Sequence, residues 1–99
     1  MNGANLIQDS PGVFVLEGPL TAYTVEPLLK VSYQAFFGQK TIQIDFRAVT
    51  TVDSSSMALL LEWMRYTHQH NIDLKFTHLP QPMIDLGHVS GLDSLLPIL

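Results

Sequence analysis

The sequence predicts a small α/β domain: a mixed β-sheet opened by an N-terminal hairpin, extended by βαβ units, with helices packed mainly on one face. Three observations lead there. Runs of apolar and polar alternation take turns along the chain with runs of helical spacing. "ANLIQD" and "VFVLEG" are separated only by "SPG", which is hairpin chemistry. The later strands are each reached through a helix, which asks for parallel pairing and right-handed crossovers. Ninety-nine residues hold one such core and not two, so residues 1–99 read as a single domain.

The elements follow in order. Ala4–Asp9 and Val13–Gly18 form the hairpin; the second strand is rich in β-branched and aromatic residues. In "TAYTVEPLLKVSYQAFFG", Thr21 or Thr24 supplies an N-cap and Pro27 falls in the first turn, where its missing N–H costs little. Val25, Leu28, Leu29, Ser32 and Phe36 keep helical spacing and Gly38 stops it, giving a helix over Val25 to Phe37. Thr41 to Phe46 alternates as a central strand. Ser54 to His70 is the longest helix. Asp73 to Leu79 alternates again, and a short helix over Pro82 to His88, weakened by Gly87 and Gly91, closes the order β-β-α-β-α-β-α.

Composition removes several function classes. A net charge of −4 with no basic run offers no footprint for nucleic acid. The absence of cysteine excludes disulfides, thiolate zinc sites and cysteine nucleophiles, and fits a reducing compartment. The N-terminus lacks the basic and apolar regions of a secretory leader. The most hydrophobic run, Met57 to Met64, is broken by Glu62 and is far shorter than the ~20 apolar residues that span a bilayer. The expectation is a cytoplasmic domain without direct membrane insertion. Charged residues make up only 14%, against roughly 25% in an average soluble domain, which leaves apolar surface for a partner.

"TTVDSSSMALLLEWM", Thr50 to Met64, concentrates the polar signal. The Asp53 carboxylate or the Ser54 hydroxyl can accept the unpaired N–H groups of the helix that starts there, and the helix dipole favours an anion. That accounts for these residues as a cap. The same geometry would expose a hydroxyl whose phosphorylation changes the local charge. A serine nucleophile is disfavoured, because Asp-Ser-Ser-Ser is not a Gly-x-Ser-x-Gly elbow and no motif places a histidine. Along the helix, Met57, Leu60, Leu61 and Met64 share one face, expected on the sheet, with Thr67 and His68 at its edges. Leu59, Trp63 and Tyr66 form a second row, and together they span an apolar arc of about 220°. Either the first helix or the C-terminal segment covers that second row, or it is an exposed patch with aromatic anchors.

The segment "IDFRAVTTVDSSSMALLL", with "GPLT" before the first helix, resembles the STAS domain, the module of sulfate transporters and anti-sigma-factor antagonists. The resemblance extends over nearly the whole chain. In the antagonists it implies an Asp-Ser-Ser-Gly loop whose phosphoacceptor is the second residue after the aspartate, here Ser55, with an anti-sigma-factor kinase as partner. Ser56 stands where that branch has glycine. "VDSSSMALLLEWM" and the leucine-rich ending are also similar to the stand-alone STAS subunit of Mla-type phospholipid-transport ABC complexes. That branch implies a non-catalytic subunit without a cofactor, docked on the ABC-transporter ATPase and peripheral to the inner membrane through it. Its partner-binding residues would be Asp53, Ser54, Ser55, Ser56, Leu59, Glu62, Trp63 and Tyr66.

Other groupings carry less. His68 and His70 sit two apart on a helix, where side chains diverge, and His78 and His88 have no ligand spacing, so no metal is expected. Asp45 and Asp53 bracket a loop, but paired carboxylates need a measured separation to imply acid–base work.

Overall fold

The computed structural model describes residues 3–99. The elements are β1 (Asn5–Ser10), β2 (Val13–Leu20), α1 (Val25–Phe36), β3 (Thr41–Val52), α2 (Ser55–Gln69), β4 (Asp73–Thr77) and α3 (Gln81–Val89). They follow the expected order. One four-stranded sheet runs β1-β2-β3-β4. The hairpin pair is antiparallel, while β2–β3 and β3–β4 are parallel. Gly12 makes the hairpin possible in two ways: its φ is +74°, and a Cβ there would lie 2.8 Å from the Thr41 carbonyl oxygen.

Strand alternation decides which face is covered. Phe14, Leu16, Ile42, Ile44, Phe46, Leu74 and Phe76 are buried, whereas the intervening Val13, Val15, Gln43 and Lys75 are only half-buried. Helices therefore pack on one face. An edge-to-face aromatic chain runs through that layer from Phe14 to Phe36 (5.6 Å between ring centroids), Trp63 (5.8 Å), Phe46 (6.4 Å) and Phe76 (5.3 Å). It ties β2, α1, α2, β3 and β4 together with the geometry aromatic quadrupoles prefer. On the other face Asp45 is held by Arg47 Nε and His78 Nδ1, each at 3.2 Å.

β3 is twice the expected length, running on through Val52. Its second half lacks clean alternation because the β2–β3 register shifts between Val15 and Glu17 and again between Gly18 and Leu20. Each irregularity breaks the two-residue period that marks a strand in sequence. Gly87 lies within α3 rather than ending it. With no side chain there, Leu96 of the returning tail fits close; a Cβ would lie 3.3 Å from its Cδ1. The tail then pairs with β4: the Phe76 N–H donates to Pro97 O (2.8 Å) and the Leu99 N–H donates to Phe76 O (2.9 Å).

His88 Nδ1 meets Asp93 Oδ2 at 2.8 Å, linking α3 to the tail. Its hydrogen bond to Asp93 and that charge raise the His88 pKa, and the same hydrogen bond lowers that of Asp93. A raised histidine stabilises the fold below its unfolded value of about 6.5 and loses that contribution as pH rises through the folded value. A lowered aspartate contributes above about 3.9 and loses it on acidification. The tail contact is thus strongest between the two. The melting temperature is expected to be higher at pH 6 than at pH 8.5, with His88→Gln removing part of that difference; an unchanged difference would show the contact contributes nothing.

Candidate functional site

Asp53 follows β3 and precedes α2, and it is the capping residue that the sequence left undecided between itself and Ser54. Its Oδ1 accepts the Ser55 N–H (2.8 Å), and its backbone oxygen accepts the Ser56 N–H (3.0 Å). The Ser54 side chain makes no capping bond. Asp53 Oδ2 also accepts the Ala22 N–H of the β2–α1 loop (3.2 Å), and the Asp53 N–H donates to Leu20 O (3.0 Å). Two loops at the C-terminal ends of parallel strands are thereby stitched together. The Ser55 N–H, and less strongly the Ala22 N–H, hold the Asp53 carboxyl below the usual carboxylate range, so it stays ionised.

The β2–α1 loop is rigid in its own right. Thr24 Oγ1 accepts the Thr21 N–H (2.9 Å) and donates to Pro19 O (2.8 Å), while Thr21 Oγ1 accepts the Tyr23 N–H (3.3 Å). On this loop Tyr23 is 91% exposed. Its backbone directly follows Ala22, whose N–H is bonded to Asp53, so an exposed aromatic ring sits on an ordered loop, the kind of side chain that is enriched at protein interfaces. Sequence reasoning passed over it because no periodicity marks a single loop residue; only the flanking threonines hinted at an ordered turn.

The serines divide. Ser54 is exposed and Ser55 half-buried, whereas Ser56 is fully buried with no hydrogen-bond partner for its Oγ. Ser56 therefore faces the core and not a partner. Replacing an unpaired buried hydroxyl by a methyl group removes a desolvation cost, and alanine is the better helix former. Ser56→Ala is expected to leave stability unchanged or raise it by up to about 1 kcal/mol in urea denaturation. A clear loss would mean that the hydroxyl is bonded.

Leu59 and Trp63 also leave the list of surface residues. Both are 0% exposed. Trp63 Nε1 donates to Ser32 Oγ of α1 at 2.8 Å, and Ser32 Oγ donates in turn to Leu29 O at 2.7 Å. The first helix covers Leu59 and Trp63 of the second apolar row, so these two are core. Leu61, expected on the sheet, is instead 42% exposed. Tyr66 is half-buried, stacked on Tyr33 (4.8 Å) and against His70 (4.2 Å). Glu62 is half-buried and bonds through both carboxylate oxygens to Arg65 Nη2 (2.7 Å each). The outward face of α2 near the loop is thus Ser54, Ala58 and Leu61, with Glu62 beside it.

The four histidines do not gather at the loop: His78 bonds Asp45, His88 bonds Asp93, His70 lies against Tyr66, and His68 falls in the last turn of α2. Asp45 and Asp53 stand eight strand residues apart, more than ~20 Å at ~3.3 Å per residue, and each is occupied by its own partners. Among the described residues no group of three or more His, Asp or Glu is placed to hold a metal, and no helix is long and apolar enough to cross a membrane. The site offers hydroxyls, an anion and an aromatic ring on a rigid support.

A family model described as "Mlab, STAS domain" matches residues 6–97. The chain belongs to the STAS domain family. This STAS domain shares its fold with the anti-sigma factor antagonist SpoIIAA in its unphosphorylated form (TM-score 0.74, 21% identity, 97% of this chain and 87% of that one). It is likewise similar to the Bacillus cell fate determinant SpoIIAA in the phosphorylated form (TM-score 0.69, 24% identity, 97% and 90%). A third similar structure is an anti-sigma factor antagonist from Mycobacterium paratuberculosis (TM-score 0.66, 19% identity, 96% and 82%). No curated protein matches this chain in sequence. STAS domains are protein–protein interaction modules, typically with regulatory rather than catalytic roles.

Proposed function

We propose that this STAS domain is a non-catalytic subunit that docks on the cytoplasmic ATPase of an Mla-type phospholipid-transport ABC complex and supports its assembly or activity. The docking face is Asp53, Ser54 and Ser55 with Tyr23, Ala58 and Leu61; Glu62 and Tyr66 lie farther along the flank. The observation that carries the reading is the cross-loop bridge from Asp53 to Ala22, which presents an exposed aromatic ring and a helix start as one rigid unit. A preorganised surface loses little entropy on binding. The match to the "Mlab, STAS domain" description supports the choice of partner. The fully buried Ser56, standing at the usual glycine of the switch loop, favours docking over a phosphorylation switch. Co-expression with the ATPase of such a complex is expected to yield a stable stoichiometric assembly; failure to co-purify would reject the assignment.

A second reading follows from the fold shared with anti-sigma factor antagonists and from Ser55, which is half-buried at the start of α2. There the domain binds an anti-sigma-factor kinase that phosphorylates Ser55. Intact mass analysis of the protein from its host would then reveal an increment of about 80 Da that Ser55→Ala abolishes. Its absence across growth states would reject the switch.

A further inference from the structure

Positive charge is kept away from the stitched loops. The chain has five lysines and arginines. Four of them lie on a carboxylate of their own: Lys30 on Glu26 (3.7 Å), Arg47 on Asp45 (3.2 Å), Arg65 on Glu62 (2.7 Å) and Lys75 on Asp73 (3.9 Å). The fifth, Lys40, precedes β3, while Asp53 follows it. The twelve residues of that strand hold the two charges ~40 Å apart at ~3.3 Å per residue. No lysine or arginine occurs from Val13 to Leu29 or from Ala48 to Met64, the two stretches that build the loops.

Asp53 is therefore a carboxylate without a counter-charge. Among the described residues no lysine, arginine or histidine pairs with it. Its two oxygens accept the Ser55 and Ala22 N–H groups, and these bonds keep it ionised. Each oxygen retains acceptor capacity, and the residue is exposed. The positive end of α2 offsets roughly half a unit of the charge and leaves the rest to solvent. Because backbone N–H groups fix the carboxylate, a partner gains an ion pair without having to order it. The exposed ring of Tyr23, on the same loop as Ala22, also attracts cations to its face.

We propose that the partner surface meeting this face is basic, with an arginine or lysine head group against the Asp53 carboxylate. The proposal rests on the ATPase-docking reading and adds the chemistry of the contact. Charge selects this occupant. An acidic or wholly apolar partner surface would close over Asp53 and leave a desolvated, uncompensated carboxylate, which is strongly unfavourable.

The side chain of Ala22 gives a test that leaves the Asp53 bonds in place. Ala22 is exposed and reaches Asp53 only through its backbone N–H. Ala22→Lys supplies a competing cation within the domain, Ala22→Gln is a neutral control of similar length, and Ala22→Glu adds negative charge. Binding to the purified ATPase is measured by surface plasmon resonance, with a melting curve for each variant. The wild-type association rate is expected to fall at least ~5-fold between about 50 mM and about 500 mM KCl, as screening removes the attraction. At the lower salt, Ala22→Lys is expected to bind at least ~10-fold more weakly than Ala22→Gln, and Ala22→Glu at least as tightly as Ala22→Gln. A wild-type association rate that ignores salt would overturn the basic contact and leave the ATPase reading standing. Equal affinity of folded Ala22→Lys and Ala22→Gln would do the same. A wild-type protein that does not bind the ATPase at all would overturn both.

Discussion

Trp63→Ala is expected to remove a large share of this domain's stability at room temperature. The indole is the largest fully buried side chain and sits between Phe36 and Phe46 in the aromatic chain that links both long helices to the sheet. Its Nε1 donates to Ser32 Oγ in the interior. Truncation removes the transfer energy of the ring, leaves a cavity and breaks a buried hydrogen bond, for a loss of about 3–5 kcal/mol. Domains of this size hold roughly 5–15 kcal/mol in total. Trp63→Phe keeps most of the packing and should lose less. Urea denaturation followed by circular dichroism checks both. A surface role for Trp63 predicts the opposite: a folded variant of normal stability that fails only in binding.

Tyr23→Ala is expected to reverse that profile. The ring is exposed on a loop held by Thr21, Thr24 and Asp53, so its removal leaves the melting temperature within about 2–4 °C. If it fills a pocket on the partner ATPase, its loss weakens the complex by about 2 kcal/mol, roughly 30-fold in Kd. Tyr23→Phe should recover most of that affinity, because ring area rather than the hydroxyl is the larger contribution. Isothermal titration calorimetry separates the two variants. Equal affinity for wild type and Tyr23→Ala would remove this residue from the docking face.

The fold was largely legible in the sequence, because two periods carry it. Ile42, Ile44 and Phe46 against Gln43 and Asp45 mark β3, and Leu74 and Phe76 against Lys75 mark β4. What failed was local. The second half of β3 is strand with shifted register, so its side-chain period is broken where Ala48 and Val49 pair. The direction of α2 was legible, but how it rolls between its neighbours was not. Ser56, Leu59, Trp63 and Thr67 all turn inward because α1 lies alongside, and a helical wheel holds no information about a neighbouring helix. The loop was found through Asp53, Ser54 and Ser55, whose chemistry is local. Tyr23 became visible only when a hydrogen bond spanning 31 residues joined Ala22 to Asp53.

The most direct test is a calorimetric titration of Ala58→Arg against the purified ATPase, with a melting curve of the same sample. Ala58 is exposed one turn beyond Ser54, at the centre of the stated face, and arginine there adds bulk and charge without touching the core. At least a ~100-fold loss of affinity is expected, since a blocked interface centre cannot close, together with an unchanged melting temperature. Wild-type affinity in a folded Ala58→Arg protein would contradict it.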